Sequence, residues 1–86
     1  MLEEQKDAPE AVAARLKRLR EIFGLNRKQM AESLGVAEQN YGQIEKAQRN
    51  LPLTVAKALR EKRQISLEFI YFGKIDDLPT RISREL

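Results

Sequence analysis

The sequence contains no cysteine, no histidine and no tryptophan. Without cysteine the chain can form neither a disulfide nor a thiolate-ligated zinc or iron–sulfur site. Without histidine it lacks the usual proton shuttle near neutral pH and the commonest metal ligand. It also has no glycine-rich loop of the kind that binds phosphate. We therefore predict that the protein is not an enzyme and has neither a cofactor nor a metal site.

Long hydrophobic runs are also absent, since no stretch approaches the ~20 apolar residues that span a bilayer. Residues 1–8 are acidic and polar, unlike a secretory signal peptide. The 86 residues suffice for one domain. They include 16 basic and 13 acidic side chains, for a net charge of +3. We predict a water-soluble cytoplasmic protein that does not bind membranes, and the basic excess suits a polyanionic partner.

Apolar residues recur with helical spacing in five segments that are bounded by start and stop signals. Pro9 suits the first turn of a helix that Gly24 ends. Asn26 is a good N-cap for the next helix, with Gln29 in the capping-box position, and Gly35 ends that helix. The predicted helices span residues 9–23, 27–34, 38–46, 52–63 and 67–72.

The remaining residues suggest how the chain is organised. We predict a flexible N-terminal tail over 1–8, one helical domain over 9–73 and a C-terminal tail over 74–86. Leu78, Ile82 and Leu86 repeat every four residues within the C-terminal tail. One hypothesis is that this tail forms a helix that packs only against a partner protein.

The segments 27–34 and 38–46 are joined by a tight turn at Gly35 and follow another helix, as in a helix-turn-helix motif. In that motif the second helix lies in the major groove, where its N-terminal residues contact base edges. When the apolar Tyr41 and Ile44 are set aside, the outward residues of this helix are Glu38, Gln39, Asn40, Gly42, Gln43 and Lys46. Carboxamides can offer a donor and an acceptor together to adenine. The alternative interpretation of the same residues is an ordinary solvated helix face.

Two residues weaken this second helix. Ala37 at the N-cap position has no side-chain oxygen to accept a hydrogen bond. Gly42 in the middle of the helix costs roughly 1 kcal/mol relative to alanine. Defects of this kind invite a functional explanation.

Several segments at characteristic spacing resemble a known family. They read LNRKQMAESLGV at 25–36, IE at 44–45, RN at 49–50 and ISLEFIYFG at 65–73. Residues 16–73, about two-thirds of the chain, therefore resemble the Cro/C1-type helix-turn-helix domain of phage repressors and the XRE family. The resemblance implies a compact all-α five-helix bundle of the lambda-repressor-like type. It also implies a bacterial or phage-encoded, nucleoid-associated protein that binds double-stranded operator DNA, usually as a homodimer.

The resemblance further implies roles for individual residues. Those expected to read bases are Glu38, Gln39, Asn40 and Gln43. Those expected to contact phosphates are Asn26, Arg27, Lys46, Gln48, Arg49 and Asn50. Arg20 and Glu45 occupy the positions of a partly buried ion pair. The sequence departs from the family pattern at Ala37, where serine or threonine is usual, and at Ala47, where glycine is usual.

We predict a sequence-specific, double-stranded-DNA-binding transcriptional regulator, acting as a repressor, that reads the major groove with helix 38–46. The alternative is a protein-interaction module on the same fold, either an antitoxin-like partner that wraps a second protein with its C-terminal tail or an anti-repressor that has lost its affinity for DNA. Salt-dependent binding to duplex DNA distinguishes a DNA-binding protein from a module that binds only protein.

Overall fold

The computed structural model describes residues 8–75 and 78–86, which contain six α-helices and no β-strand. The helices are α1 (Pro9–Phe23), α2 (Arg27–Leu34), α3 (Glu38–Glu45), α4 (Leu53–Arg63), α5 (Leu67–Phe72) and α6 (Thr80–Ser83). The predicted all-α bundle is confirmed, and α1 to α5 begin and end within one residue of their predicted bounds. The predicted N-terminal tail lies outside the described residues except for Ala8, the N-cap of α1. No helix in the described part of the chain is long and apolar enough to cross a membrane.

Local signals set both ends of α2. The Gln29 backbone N–H donates to Asn26 Oδ1 at 2.8 Å, and the Asn26 N–H donates to Gln29 Oε1 at 2.9 Å. These two hydrogen bonds form a capping box, which satisfies two backbone N–H groups at the start of the helix. Gly35 then ends α2 in the left-handed conformation, with φ +74°. The chain is thereby turned sharply between α2 and α3.

The core lies between the helices and fixes the orientation of α3. α1 packs against α3 and α5, whereas α2 packs against α3 and α4. Tyr41 and Ile44 of α3 are almost completely buried. Burying these two side chains leaves the opposite side of α3 facing outward, because residues three apart lie on one face of a helix.

The C-terminal segment packs against its own chain, whereas one hypothesis was that it forms a helix that packs only against a partner protein. Ile82 of α6 is 1% exposed and Leu78 is 8% exposed, so both belong to the core of their own chain. Pro79 does not disrupt this segment, since it is the N-cap of α6 and needs no backbone N–H there. The Arg18 side chain donates to the Glu85 carbonyl and ties the segment to α1. Leu86, the third member of the repeat, is exposed.

Candidate nucleic-acid interface

The outward side of α3 carries polar side chains at successive positions. Glu38, Gln39 and Asn40 are exposed, and Gln43 is half-buried. Ala37 provides no side-chain cap, and its φ of −67° and ψ of 142° are those of extended backbone. The first turn of α3 therefore has backbone N–H groups that no side chain at position 37 satisfies.

A groove of about 450 Å³ runs along this side of α3. Its lining residues are Arg27, Glu38, Gln39, Gly42, Gln43, Lys46 and Gln48. Three carboxamides, two cations and one carboxylate thus meet around a groove that has no apolar side chain in its lining. Such a set can form hydrogen bonds and ion pairs. Among the described residues, no group of three or more acidic side chains is placed to hold a metal ion.

The groove brings together six of the ten residues predicted to contact DNA, and the other four do not line it. Asn40 and Arg49 line a neighbouring cleft of about 300 Å³ between α3 and the start of α4. Arg49 and Asn50 line another cleft, near Tyr71. Asn26 lies at the N-terminus of α2, where its side-chain oxygen already accepts the capping hydrogen bond.

Arg49 and Asn40 interact with each other, which the sequence did not indicate. Arg49 Nη1 donates to Asn40 Oδ1 at 3.2 Å, and both residues are exposed. The pair links the loop after α3 to the first turn of α3. The Asn40 oxygen that accepts from Arg49 still has a second lone pair, and the Asn40 NH₂ group carries two further donors.

Arg20 and Glu45 form a bidentate ion pair that supports α3 from behind. Arg20 Nε donates to Glu45 Oε2 at 2.9 Å, and Arg20 Nη2 donates to Glu45 Oε1 at 3.0 Å. A third donor, Arg20 Nη1, reaches the Leu25 carbonyl at 2.9 Å. One guanidinium therefore joins α1, the segment before α2 and the last residue of α3.

Arg27 connects this buried pair to the groove. Its Nε lies 3.5 Å from Glu45 Oε1, and its side chain is 46% exposed against 2% for that of Glu45. The family resemblance predicted a phosphate contact for Arg27. It did not indicate the contact between Arg27 and Glu45, because the two residues lie on different helices. Glu45 therefore forms an ion pair with a cation that also lines the groove.

The charges in this cluster determine how Glu45 ionises. Burial by itself raises the pKa of the Glu45 carboxyl, but hydrogen bonding to Arg20 and the charges of Arg20 and Arg27 hold that pKa below its ordinary value. The hydrogen bond to Glu45 likewise raises the pKa of Arg20. Burial, with the Glu45 charge, raises the pKa of Tyr41. Glu45 is therefore ionised, and the Tyr41 hydroxyl protonated, at neutral pH.

Comparison with known proteins identifies the family of the chain. No curated protein and no solved structure matches the chain. The model of a family described as Helix-turn-helix matches residues 16–70, nearly two-thirds of the 86 residues. The matched range begins in α1 and ends in α5, and it includes the turn between α2 and α3. The chain therefore belongs to the Cro/C1-type helix-turn-helix family of DNA-binding regulators.

Proposed function

We propose that this protein is a sequence-specific regulator of transcription, acting as a repressor, that reads the major groove of double-stranded DNA with α3. The observation that carries the proposal is the polar groove along α3, where carboxamides that suit base edges lie together with cations that suit phosphates. A purely solvated helix face would not need carboxamides at Gln39, Asn40 and Gln43.

The proposed roles follow from chemistry and position. Gln39 and Gln43 present donors and acceptors to base edges, and the Asn40 amide donates beside them. Glu38 accepts from the N4 amine of cytosine. The residues proposed to contact phosphates are Asn26, Arg27, Lys46, Gln48, Arg49 and Asn50. Contacts of this second kind set the position of the protein on the duplex and carry no direct sequence information.

We further propose that the protein binds as a homodimer to an operator with two-fold symmetry. A major-groove helix from each subunit then requires half-sites about 34 Å apart, one turn of the duplex. A selected operator with two inverted half-sites at that spacing would support the dimer. A single ungapped site bound by one chain would contradict it.

The decisive experiment is in vitro selection of bound duplexes from a random pool, followed by binding measurements on the selected duplex. Gln39→Ala is expected to cost roughly 1–3 kcal/mol on the selected duplex and to relax specificity at one base pair. Binding to random duplex is expected to change little.

Gln64→Gly is the matched control, because it also removes an exposed glutamine. Gln64 lines a different cleft, with Arg60, Ser66 and Glu68. Its loss should leave the selected sequence unchanged. Equal losses on selected and random duplex for Gln39→Ala would reject base reading by this residue. If no duplex is enriched at all, the DNA-binding proposal fails and the protein-interaction alternative becomes the better account.

A further inference from the structure

Gly42 is not required by the backbone of α3. It lies in the middle of the helix, and it is absent from the glycines with positive φ, which are Gly24, Gly35 and Gly73. Any L-residue can adopt the right-handed helical conformation, and alanine does so more favourably than glycine. The backbone therefore gives no reason for glycine here.

Packing within the protein does not require Gly42 either. Apart from its chain neighbours and the backbone of α3 itself, a Cβ built at this position meets no heavy atom within 4 Å. At Gly73, by contrast, a Cβ would lie 3.2 Å from Arg15 Nη2. The space beside Gly42 is open in the free protein, so the missing side chain weakens α3 without relieving any internal contact.

The open space beside Gly42 belongs to the polar groove. Gln39 lies nearly one turn before it, Lys46 lies one turn after it, and Gln43 is its neighbour in sequence. Long polar side chains thus surround a short stretch of bare backbone. A group that enters the groove can reach the helix axis more closely at Gly42 than at any flanking position.

We infer that Gly42 is a specificity-determining residue whose bare backbone contacts the major-groove edge of a base pair directly, an inference that rests on the proposed DNA-binding function. The contact is assigned to a base edge because Gln39 and Gln43, three residues before Gly42 and one residue after it, line the same groove with carboxamides. A side chain at position 42 would hold α3 away from the duplex.

The geometry sets the size of the effect. A methyl group places a carbon about 1.5 Å beyond Cα. Hydrogen bonds have donor–acceptor distances of about 2.7–3.2 Å and weaken steeply once that separation grows. Moving α3 outward by the thickness of a methyl group would therefore stretch the base contacts of Gln39 and Gln43 together.

The test compares Gly42→Ala and Gly42→Leu with the wild type in thermal unfolding and in binding to the duplex that the wild type selects. Gly42→Ala should raise the unfolding temperature, because it improves helix propensity. The same change should weaken binding to the selected duplex by about tenfold or more, the value of one good base contact. Gly42→Leu should weaken binding further. Neither should weaken binding to random duplex by more than about twofold, since phosphate contacts provide that affinity.

Gln64→Gly controls for the gain in stability. Gln64 has a left-handed φ of 60° outside the groove, so glycine should raise the unfolding temperature there without changing DNA affinity. If Gly42→Ala binds the selected duplex as tightly as the wild type, the inference is wrong. Equal losses on selected and random duplex also overturn it, because they would indicate a contact with the sugar–phosphate backbone. If the wild type selects no duplex, the proposed function fails and the inference fails with it.

Discussion

At the scale of single residues, the placement of α3 depends on Arg20 and Glu45. Their side chains are 14% and 2% exposed, so both charges are largely removed from water. A buried charge is tolerated when hydrogen bonds and an opposite charge compensate it, and removing the partner is costly. Because Arg20 also bonds the Leu25 carbonyl, its loss would loosen α3 and the segment before α2 together.

Arg20→Met is therefore expected to lower the free energy of unfolding by about 3 kcal/mol, measured by urea denaturation at neutral pH. The change leaves Glu45 with Arg27 as its nearest cation, 3.5 Å away. Lys17→Met, at an exposed position of the same helix, is the control and should change stability by no more than about 0.5 kcal/mol. If both substitutions changed the free energy of unfolding by similarly small amounts, the buried ion pair would not contribute substantially to stability.

The same pair predicts how stability depends on pH. The folded state holds the pKa of Glu45 below the ordinary value of 4.5. The stabilisation of the folded state by ionised Glu45 is therefore complete above pH 4.5. It is lost as the pH falls through the lower pKa that Glu45 has in the folded state. Glu45→Gln should show a shallower loss of stability on acidification. An unchanged acid profile would contradict the assignment.

Ala47 is a second residue with a clear expected effect. Its φ of 61° is left-handed, a conformation that costs an L-residue roughly 1–2 kcal/mol and costs glycine little. Ala47→Gly should therefore raise the free energy of unfolding by about 1 kcal/mol. Ala14→Gly, at an exposed position inside α1, should lower it by about the same amount. Destabilisation by both substitutions would mean that Ala47 is not strained.

At the scale of the helices, local signals explain why α2 was predictable. Its start is marked by the capping box of Asn26 and Gln29, and its end by Gly35, which adopts the left-handed conformation that glycine favours. The end of α4 was placed correctly from its basic last turn, but its left-handed cap is Gln64 instead of glycine. The basic residues therefore indicated the position at which α4 ends, but not the backbone conformation of its C-cap.

Other features of the fold depend on contacts between distant residues. The repeat of Leu78, Ile82 and Leu86 indicated a helix near α6, but spacing alone could not show that Ile82 is buried in the core of its own chain. The hydrogen bond between Asn40 and Arg49 joins a helix to a loop, a pairing that helical spacing cannot indicate. The sequence thus predicted which residue types lie on α3, whereas their mutual contacts required the structure.

The burial of α6 leads to a prediction for this element. Ile82→Ala removes a side chain that is 1% exposed, and it should lower the free energy of unfolding by about 2–4 kcal/mol. Leu86→Ala, at a side chain 46% exposed, should cost less than about 1 kcal/mol. Denaturant midpoints for the two variants provide the comparison. Equally small losses would indicate that the C-terminal segment does not pack stably on the core.

At the scale of the whole molecule, the excess of basic over acidic side chains is small. The net charge of +3 is modest, and the groove holds two cations and one carboxylate. Non-specific attraction to DNA should therefore be weak, and each phosphate contact should contribute a measurable part of it. The dependence of affinity on salt counts such contacts, because each neutralised phosphate releases counterions.

Lys46→Ala is expected to reduce the slope of log affinity against log salt by about 1, on selected and random duplex alike. Lys57→Ala is the matched control, since it makes the same change in net charge at an exposed position of α4 that lies outside the groove. If net charge alone attracts the DNA, both variants should change the slope equally. If the groove makes the contact, only Lys46→Ala should change it. Arg27→Ala is less suitable for this measurement, because Arg27 also partly neutralises the buried Glu45, and its loss would alter stability as well as phosphate binding.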